Sequence, residues 1–374
     1  MTSQGQPARL DIVVAGAGGV GRAVLTQLTT AASTMRNRCG DEMRIIGMAD
    51  RSAMLVDPNG LPKPRIVAGL DAKRRGESLA SLAPSADRLD VDAVRRLAGP
   101  GVAFVDTTAD PDIGALWRIA LDAGASVVLA NKLPLCGSWD TSGGFFGHPR
   151  LRYEATVGAG LPVISTLRRL LDSGDRIERI EASLSGTLAY LMNRVSVGVP
   201  LSTAVGEAIE SGYAEPDPRE DLRGADVARK ALILARTLGW AAEPEEAAPE
   251  ALYPSRLDDC DLPAFLQELA GLDPAFAARV ESEAAQGHVL RYVASIVPVT
   301  TSICIALQPY GRSEPFAVSA GTENRVEFHT EQYGNGTLSV CGPGAGPQVT
   351  AMGVISDLLE LAPVAQSEVR SWAD

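Results

Sequence analysis

The chain has 374 residues, 45% of them hydrophobic and 21% charged, an ordinary globular composition with length for two domains that each bury a core. Its formal net charge of −12 argues against nucleic acid and anionic membranes as partners, since both select basic surfaces. No run reaches the roughly 18 apolar residues of a membrane span, and Met1 to Arg9 lacks the apolar centre of a signal peptide.

Leu10 to Ala15 reads as a short apolar strand, followed at once by Gly16-Ala17-Gly18-Gly19-Val20-Gly21 and a helix from about Arg22. In such a unit Gly16 permits the tight turn, Gly18 lets backbone approach a pyrophosphate, and Gly21 lets helix and strand pack closely. The helix N-terminus then offers N–H groups to the phosphates. A plain turn is the bland alternative, and the position after the first strand favours the dinucleotide. Met43 to Ala49 is the next strand and ends in Asp50-Arg51. A carboxylate there suits the ribose hydroxyls of NAD and an arginine the 2′-phosphate of NADP, so both cofactors stay open. Ser52 to Ala86 has no clear periodicity and reads as loop with short helical pieces.

Asp90 to Leu97 is helical, and Val102 to Val105 is a buried strand ending in Asp106-Thr107-Thr108, where a doubly wound sheet would line its ligand crevice. Helix Ile113 to Ala123 and strand Ser126 to Ala130 lead to Asn131-Lys132. Lys132 is either a solvated strand-end lysine or a group at the crevice edge. In Thr156 to Ile164, Gly158 and Gly160 form a hinge, or free backbone carbonyls to converge, or both.

Arg176 to Leu184 alternates as a half-exposed strand, and Ser185-Gly186-Thr187 opens a helix. Further on, Pro216 and Pro218 hold Glu215 and Asp217 in a stiff non-helical turn. Beyond Gly224 a helix carries Asp226 and Lys230 on one face, four residues apart. That pair is either a surface ion pair or part of a site where acids hold an ammonium and a lysine handles a proton; spacing by itself favours the surface pair. Ala241 to Pro254 reads as a solvated connector, and Leu262 to Gln286 as two amphipathic helices. Strands of an antiparallel sheet are expected at Val289 to Pro298, Thr301 to Gln308, Phe316 to Ser319, Arg325 to Thr330 and Thr337 to Cys341. A glycine-rich turn, Gly342 to Gly346, precedes a last helix from Val349 to Leu361. Five scattered cysteines without a CxxC pair suit a reducing cytoplasm, and three histidines in no partner pattern leave cysteine-nucleophile and zinc readings unsupported.

The Gly212-Tyr213-x-Glu215-Pro216-Asp217-Pro218 loop, leading into a helix with an Asp and a Lys, resembles the substrate-binding and catalytic signature of homoserine dehydrogenases. Similarity extends to Gly16–Gly21, Asn131-Lys132, Tyr153 to Ile164, Ser185 to Tyr190 and Gly342 to Asp357. The resemblance implies an α/β fold: a discontinuous, doubly wound parallel-sheet (Rossmann) nucleotide domain at 1–155 and 343–374, and an α+β catalytic and dimerisation domain with an open mixed sheet at 156–342. It implies NAD- or NADP-dependent interconversion of L-aspartate 4-semialdehyde and L-homoserine, in threonine, methionine and isoleucine biosynthesis, by a cytoplasmic homodimer or dimer of dimers. Neither a C-terminal regulatory extension nor an N-terminal kinase half is expected.

On the same resemblance Lys230 is the principal acid/base, and Lys132 a second lysine near the reacting oxygen. Glu215 and Asp226 would hold the substrate, chiefly its ammonium, with Asp221 a weaker candidate and Gly186, Thr187 and Tyr213 lying against it. Asp217 is assigned to capping its own turn. The cofactor would meet Gly16, Ala17, Gly18, Gly19, Val20, Gly21, Asp50, Arg51, Thr107, Thr108, Lys132, Gly212 and Gly346. Glu154 and the carbonyls of Val157, Ala159 and Leu161 would bind a monovalent cation such as sodium, which prefers hard oxygen ligands. Two rivals remain. One is a relative acting on a different amino-acid semialdehyde; the other is a non-catalytic NAD(P)-binding sensor, which would tend to lose Lys132, Lys230 or Glu215.

Overall fold

The computed structural model describes residues 9–39, 42–84, 86–319 and 321–371. The chain divides into two compact units: the first takes residues 1–135, 144–160 and 345–374, the second 136–143 and 161–344.

The first unit is built on a six-stranded sheet of β1 (Arg9–Ala15), β2 (Glu42–Ala49), β3 (Met54–Val56), β4 (Val102–Asp106), β5 (Ser126–Leu129) and β6 (Leu151–Arg152). The strand order is β3-β2-β1-β4-β5-β6, with every pairing parallel except β2 with β3. Leu10, Ile12, Val13 and Val14 of β1 are all buried, as a parallel strand covered on both faces requires. Helices Gly19–Cys39 and Pro347–Ser371 share that core through Val24, Leu25, Ala351, Val354 and Leu358. Two expectations change here. The first helix starts at Gly19, so the glycine motif itself forms its first turn. The segment read as loop contains β3 and a full helix, Lys63–Arg74. That helix buries only Ile66, Gly69, Leu70 and Ala72, a stripe too narrow to register as a helical period, and carries a proline in its first turn, where helices tolerate one.

The second unit is built on β7 (Ile177–Ser183), β8 (His288–Val297), β9 (Ser302–Gly311), β10 (Glu323–Thr330) and β11 (Leu338–Pro343), in the order β11-β10-β7-β8-β9. All four pairings are antiparallel, and the mixed character expected for this sheet is confined, among the described residues, to an isolated parallel bridge between Pro249 and Ile305. Helices Gly186–Val195 and Ala225–Thr237 contact β8. Phe316 to Ser319, read as a strand, lies on a single helical turn, Pro315–Val318; Phe316 is buried there against Val293 and Tyr310. The supposed solvated connector is packed. Ala242, Ala247, Leu252 and Tyr253 are buried, while Glu243 and Glu246 form a capping box around the short turn Pro244–Ala247. No helix among the described residues is long and apolar enough to cross a membrane.

Candidate active site

At the C-terminal end of β1, Gly16 adopts φ +93°, its N–H donates to Ala49 O (2.9 Å), and its carbonyl accepts from Thr107 Oγ1 (2.6 Å). A Cβ on Gly21 would overlap the Gly16 carbonyl, whereas a Cβ on Gly18 would meet nothing within 4 Å. Gly21 is therefore fixed by packing, and Gly18 leaves open space where a ligand can approach the backbone. Gly19 and Val20, with Gly21, form the first helical turn, whose N–H groups have no partner within the helix. Pro347, next to Gly346 (φ +112°), lies against Gly19, so the second glycine-rich turn ends beside the first.

Of these residues Gly16, Gly18, Ala49 and Thr107 border a recess of about 1030 Å³. Ala15, Gly16, Ala17 and Gly18 line its middle, Asp50, Arg51, Lys73 and Arg88 one end, and Thr107 to Pro111 the other. Asp50, expected to meet a ribose, is already occupied. Its Oδ1 accepts from Ser52 N (2.9 Å), Ser52 Oγ (2.6 Å) and Ala53 N (3.1 Å), and its Oδ2 from Lys73 Nζ (2.8 Å) and Leu79 N (2.9 Å). Burial pushes its pKa up, but the Lys73 ammonium, the Ser52 hydroxyl and the Leu79 and Ser52 amides outweigh this and hold it well below the ordinary carboxylate range. Arg51 and Arg88 are exposed at the same end. Lys73 and Arg88 went unnoticed in the sequence because both follow the segment read as loop or lie within it. Thr107 spends its hydroxyl on the Gly16 and Ala15 carbonyls, and Thr108 donates its own to Asp106 (2.7 Å). Half-buried Lys132 follows Asn131, whose Oδ1 accepts from Leu133 N (3.0 Å).

Glu154 is 4% exposed on a short turn, and its N–H donates to Asp357 Oδ2 (2.8 Å). Val157 is extended, and Gly158 (φ +80°) and Ala159 (φ +58°) follow in the left-handed region. Leu161 lies in the second unit, and its carbonyl accepts from Val163 N (2.8 Å).

In the second unit Gly224 (φ +72°) opens helix Ala225–Thr237, which carries Asp226 and Lys230. Lys230 is 7% exposed; its Nζ sits 2.8 Å from Asp226 Oδ2 and donates to Leu184 O at 2.6 Å. This is not the surface pair that spacing favoured. Thr187 donates from Oγ1 to Tyr213 O (2.6 Å), which ties the helix start at Gly186 to the turn after Gly212. Glu215 N–H reaches Asp221 Oδ2 at 3.4 Å. Burial raises the Asp221 pKa, opposed by the Glu215 amide and the Thr187 hydroxyl and reinforced by the charges of Glu215 and Asp226. Three carboxylates, a hydroxyl and a buried ammonium thus share one neighbourhood, suited to binding a cationic group and moving a proton. Asp217 stands apart: it accepts from Arg219 N (3.2 Å) and pairs with the Arg219 guanidinium (2.6 Å), which pins the turn. The Leu184 carbonyl carries no signal of its own in the sequence, since any residue supplies one.

The homoserine dehydrogenase family model matches residues 162–359. The bifunctional aspartokinase/homoserine dehydrogenase 2 of Zea mays is 36% identical over 365 residues, covering 94% of this chain but 38% of the maize protein, so the chain spans well under half of that relative. The homoserine dehydrogenase of Emericella nidulans is 36% identical over 365 residues, covering 93% of this chain and 97% of the relative. Among solved structures, a hyperthermophilic archaeal homoserine dehydrogenase in complex with NADPH shares the fold, with TM-score 0.68 and 24% identity over 95% of this chain and 98% of that one.

Proposed function

The chain belongs to the homoserine dehydrogenase family, and from that premise we propose that it interconverts L-homoserine and L-aspartate 4-semialdehyde with NADP as its nicotinamide partner. The observation that carries the reading is Lys230, buried on Asp226 and the Leu184 carbonyl beside Glu215, Asp221 and Thr187. Homoserine brings an ammonium, a carboxylate and a terminal alcohol. Glu215 and Asp221 bind the ammonium, and Thr187, Gly186 and Tyr213 border it. The dinucleotide, when bound, supplies the acceptor for the hydride leaving C4. Lys230 first gives up one proton to solvent through Asp226, whose side chain is 42% exposed, and the neutral amine then takes the hydroxyl proton. In the reducing direction the same residues return the proton to the new alcohol. Lys132 supports the developing charge on the oxygen.

The first unit acts as the dinucleotide domain and the second as the substrate and dimerisation domain. NADP is favoured over NAD because Asp50 is spent on Lys73 and on its own backbone, while Arg51 and Arg88 are exposed at that end of the recess. Glu154 with the carbonyls of Val157 and Ala159 holds a monovalent cation such as sodium; the left-handed backbone at Ala159, costly for a side chain, is the feature that suits a ligand-ordered turn. Following the absorbance of reduced cofactor with aspartate semialdehyde and each dinucleotide in turn tests the whole reading. Oxidation of NADPH in preference to NADH is expected. Turnover only on a different amino-acid semialdehyde would transfer the chain to the rival reading.

A further inference from the structure

Asp106 ends β4 with a side chain that is 0% exposed, and each of its four side-chain hydrogen bonds comes from a neutral donor. Oδ1 accepts from Thr108 N (2.9 Å) and Thr108 Oγ1 (2.7 Å); Oδ2 accepts from Trp117 Nε1 (2.9 Å) and Asn131 Nδ2 (3.2 Å). Its backbone carbonyl accepts from Ala130 N (2.8 Å) and Asn131 N (3.3 Å). A carboxylate buried among neutral partners costs stability, and burial accordingly pushes its pKa up. What it offers in return is acceptor capacity on both oxygens, which no neutral side chain of this size supplies.

We infer that Asp106 is a positioning residue that fixes the corner of the recess formed by Thr108 to Asp110, where the nicotinamide half of the cofactor rests, and through Asn131 the turn that carries Lys132. The inference rests on the dinucleotide reading of that recess. The geometry is specific. Asn131, held by Asp106, passes its Nδ2 on to Asp110 O (3.0 Å) and Thr108 Oγ1 (3.3 Å), and its Oδ1 takes Leu133 N (3.0 Å). One carboxylate thus anchors the wall of the recess on one side and both neighbours of Lys132 on the other. The far end, at Arg51 and Lys73, makes no use of it. Asp106→Asn keeps the shape but turns one acceptor into a donor that faces other donors.

The experiment compares the wild-type chain with Asp106→Asn, with NADPH as the probe. Expected in the variant is a dissociation constant for NADPH within about threefold of wild type, emission of the bound reduced nicotinamide reduced toward that of free cofactor, and kcat at least about tenfold lower, as for a displaced reacting group. Wild-type emission and kcat in the variant would overturn the inference. So would a loss of NADPH affinity that fully accounts for the loss of rate, which marks a purely structural role. Should Asp106→Asn fail to fold, Thr108→Val, which removes one leg of the network, must show the same loss of emission; unchanged emission there also overturns it. A wild-type chain that binds NADPH without reducing aspartate semialdehyde refutes the substrate reading alone, and emission still decides the role of Asp106. One that binds no dinucleotide overturns both.

Discussion

An ammonium 7% exposed to water is stable only where acceptors replace its hydration, and those of Lys230 include Asp226 Oδ2 and Leu184 O. Removing the amine leaves nothing at that position to accept the alcohol proton. Lys230→Ala is therefore expected to lower kcat by about 10²-fold or more while NADPH binding, read by fluorescence titration, stays at the wild-type value; a wild-type kcat would refute the assignment. The role proposed for Glu215 is in binding instead. Glu215→Ala loses a charge-assisted contact of about 1.5–3 kcal/mol, so KM for aspartate semialdehyde rises about tenfold to a hundredfold with kcat little changed, and a steady-state assay in which KM does not move contradicts the role. Asp50 makes a pH-dependent contribution. Its folded pKa lies below the ordinary value of 3.8, so the stability it contributes is present above that value and is lost as pH falls through the folded one. Lys73→Met removes a major partner and raises the folded pKa, so the acid limb of unfolding, followed by circular dichroism below about pH 5, moves to higher pH. An unmoved limb would show that the Lys73–Asp50 contact adds nothing to stability.

At the level of elements, what the sequence disclosed depended on how wide and how local the signal was. β1 and the glycine turn were legible because five of the six residues from Leu10 to Ala15 are apolar and four of the next six are glycines, which permit a tight turn. The acid-rich turn and the Lys230 helix were legible as a motif. Helix Lys63–Arg74 was not, because its buried stripe is only Ile66, Gly69, Leu70 and Ala72. Pro315–Val318 was not, because four apolar residues fit a strand as well as one helical turn. The packing of Ala242 to Tyr253 was hidden because alanines and glutamates look solvated until a neighbouring surface is known. Within the candidate site, Leu184 lies 46 residues from Lys230, and a backbone acceptor that distant leaves no trace in residue type. Gly224 joins element to site. At φ +72°, with a Cβ that would overlap Tyr292 Oη, Gly224→Ala strains the turn that starts the Lys230 helix. A loss of about 1–3 kcal/mol in stability is expected, together with a lower kcat, from denaturant unfolding and steady-state rates on the same preparation. A variant with wild-type stability would mean that the turn relaxes without cost.

For the molecule as a whole, two cores in two units raise the question of how a ligand on one is felt by the entire chain. The chain carries −12 charges, so an anionic cofactor is repelled at long range and must be captured by cations within a screening length of about 8 Å. On the proposed reading Arg51 and Arg88 are those cations at one end of the recess, and the 2′-phosphate is the one group that NADPH would bring there and NADH lacks. Ligand binding stabilises the folded state by RT ln(1 + [L]/Kd), about 2.7 kcal/mol at a hundredfold excess over Kd. At equal concentration NADPH should therefore raise Tm further than NADH does. Arg51→Ala should remove most of that difference and leave the NADH shift in place, because NADH brings no phosphate to that end. Differential scanning fluorimetry on both proteins with both cofactors decides it. If Arg51→Ala retains the full NADPH advantage, discrimination lies with Arg88; if the wild type has no advantage to lose, the preference for NADP is wrong.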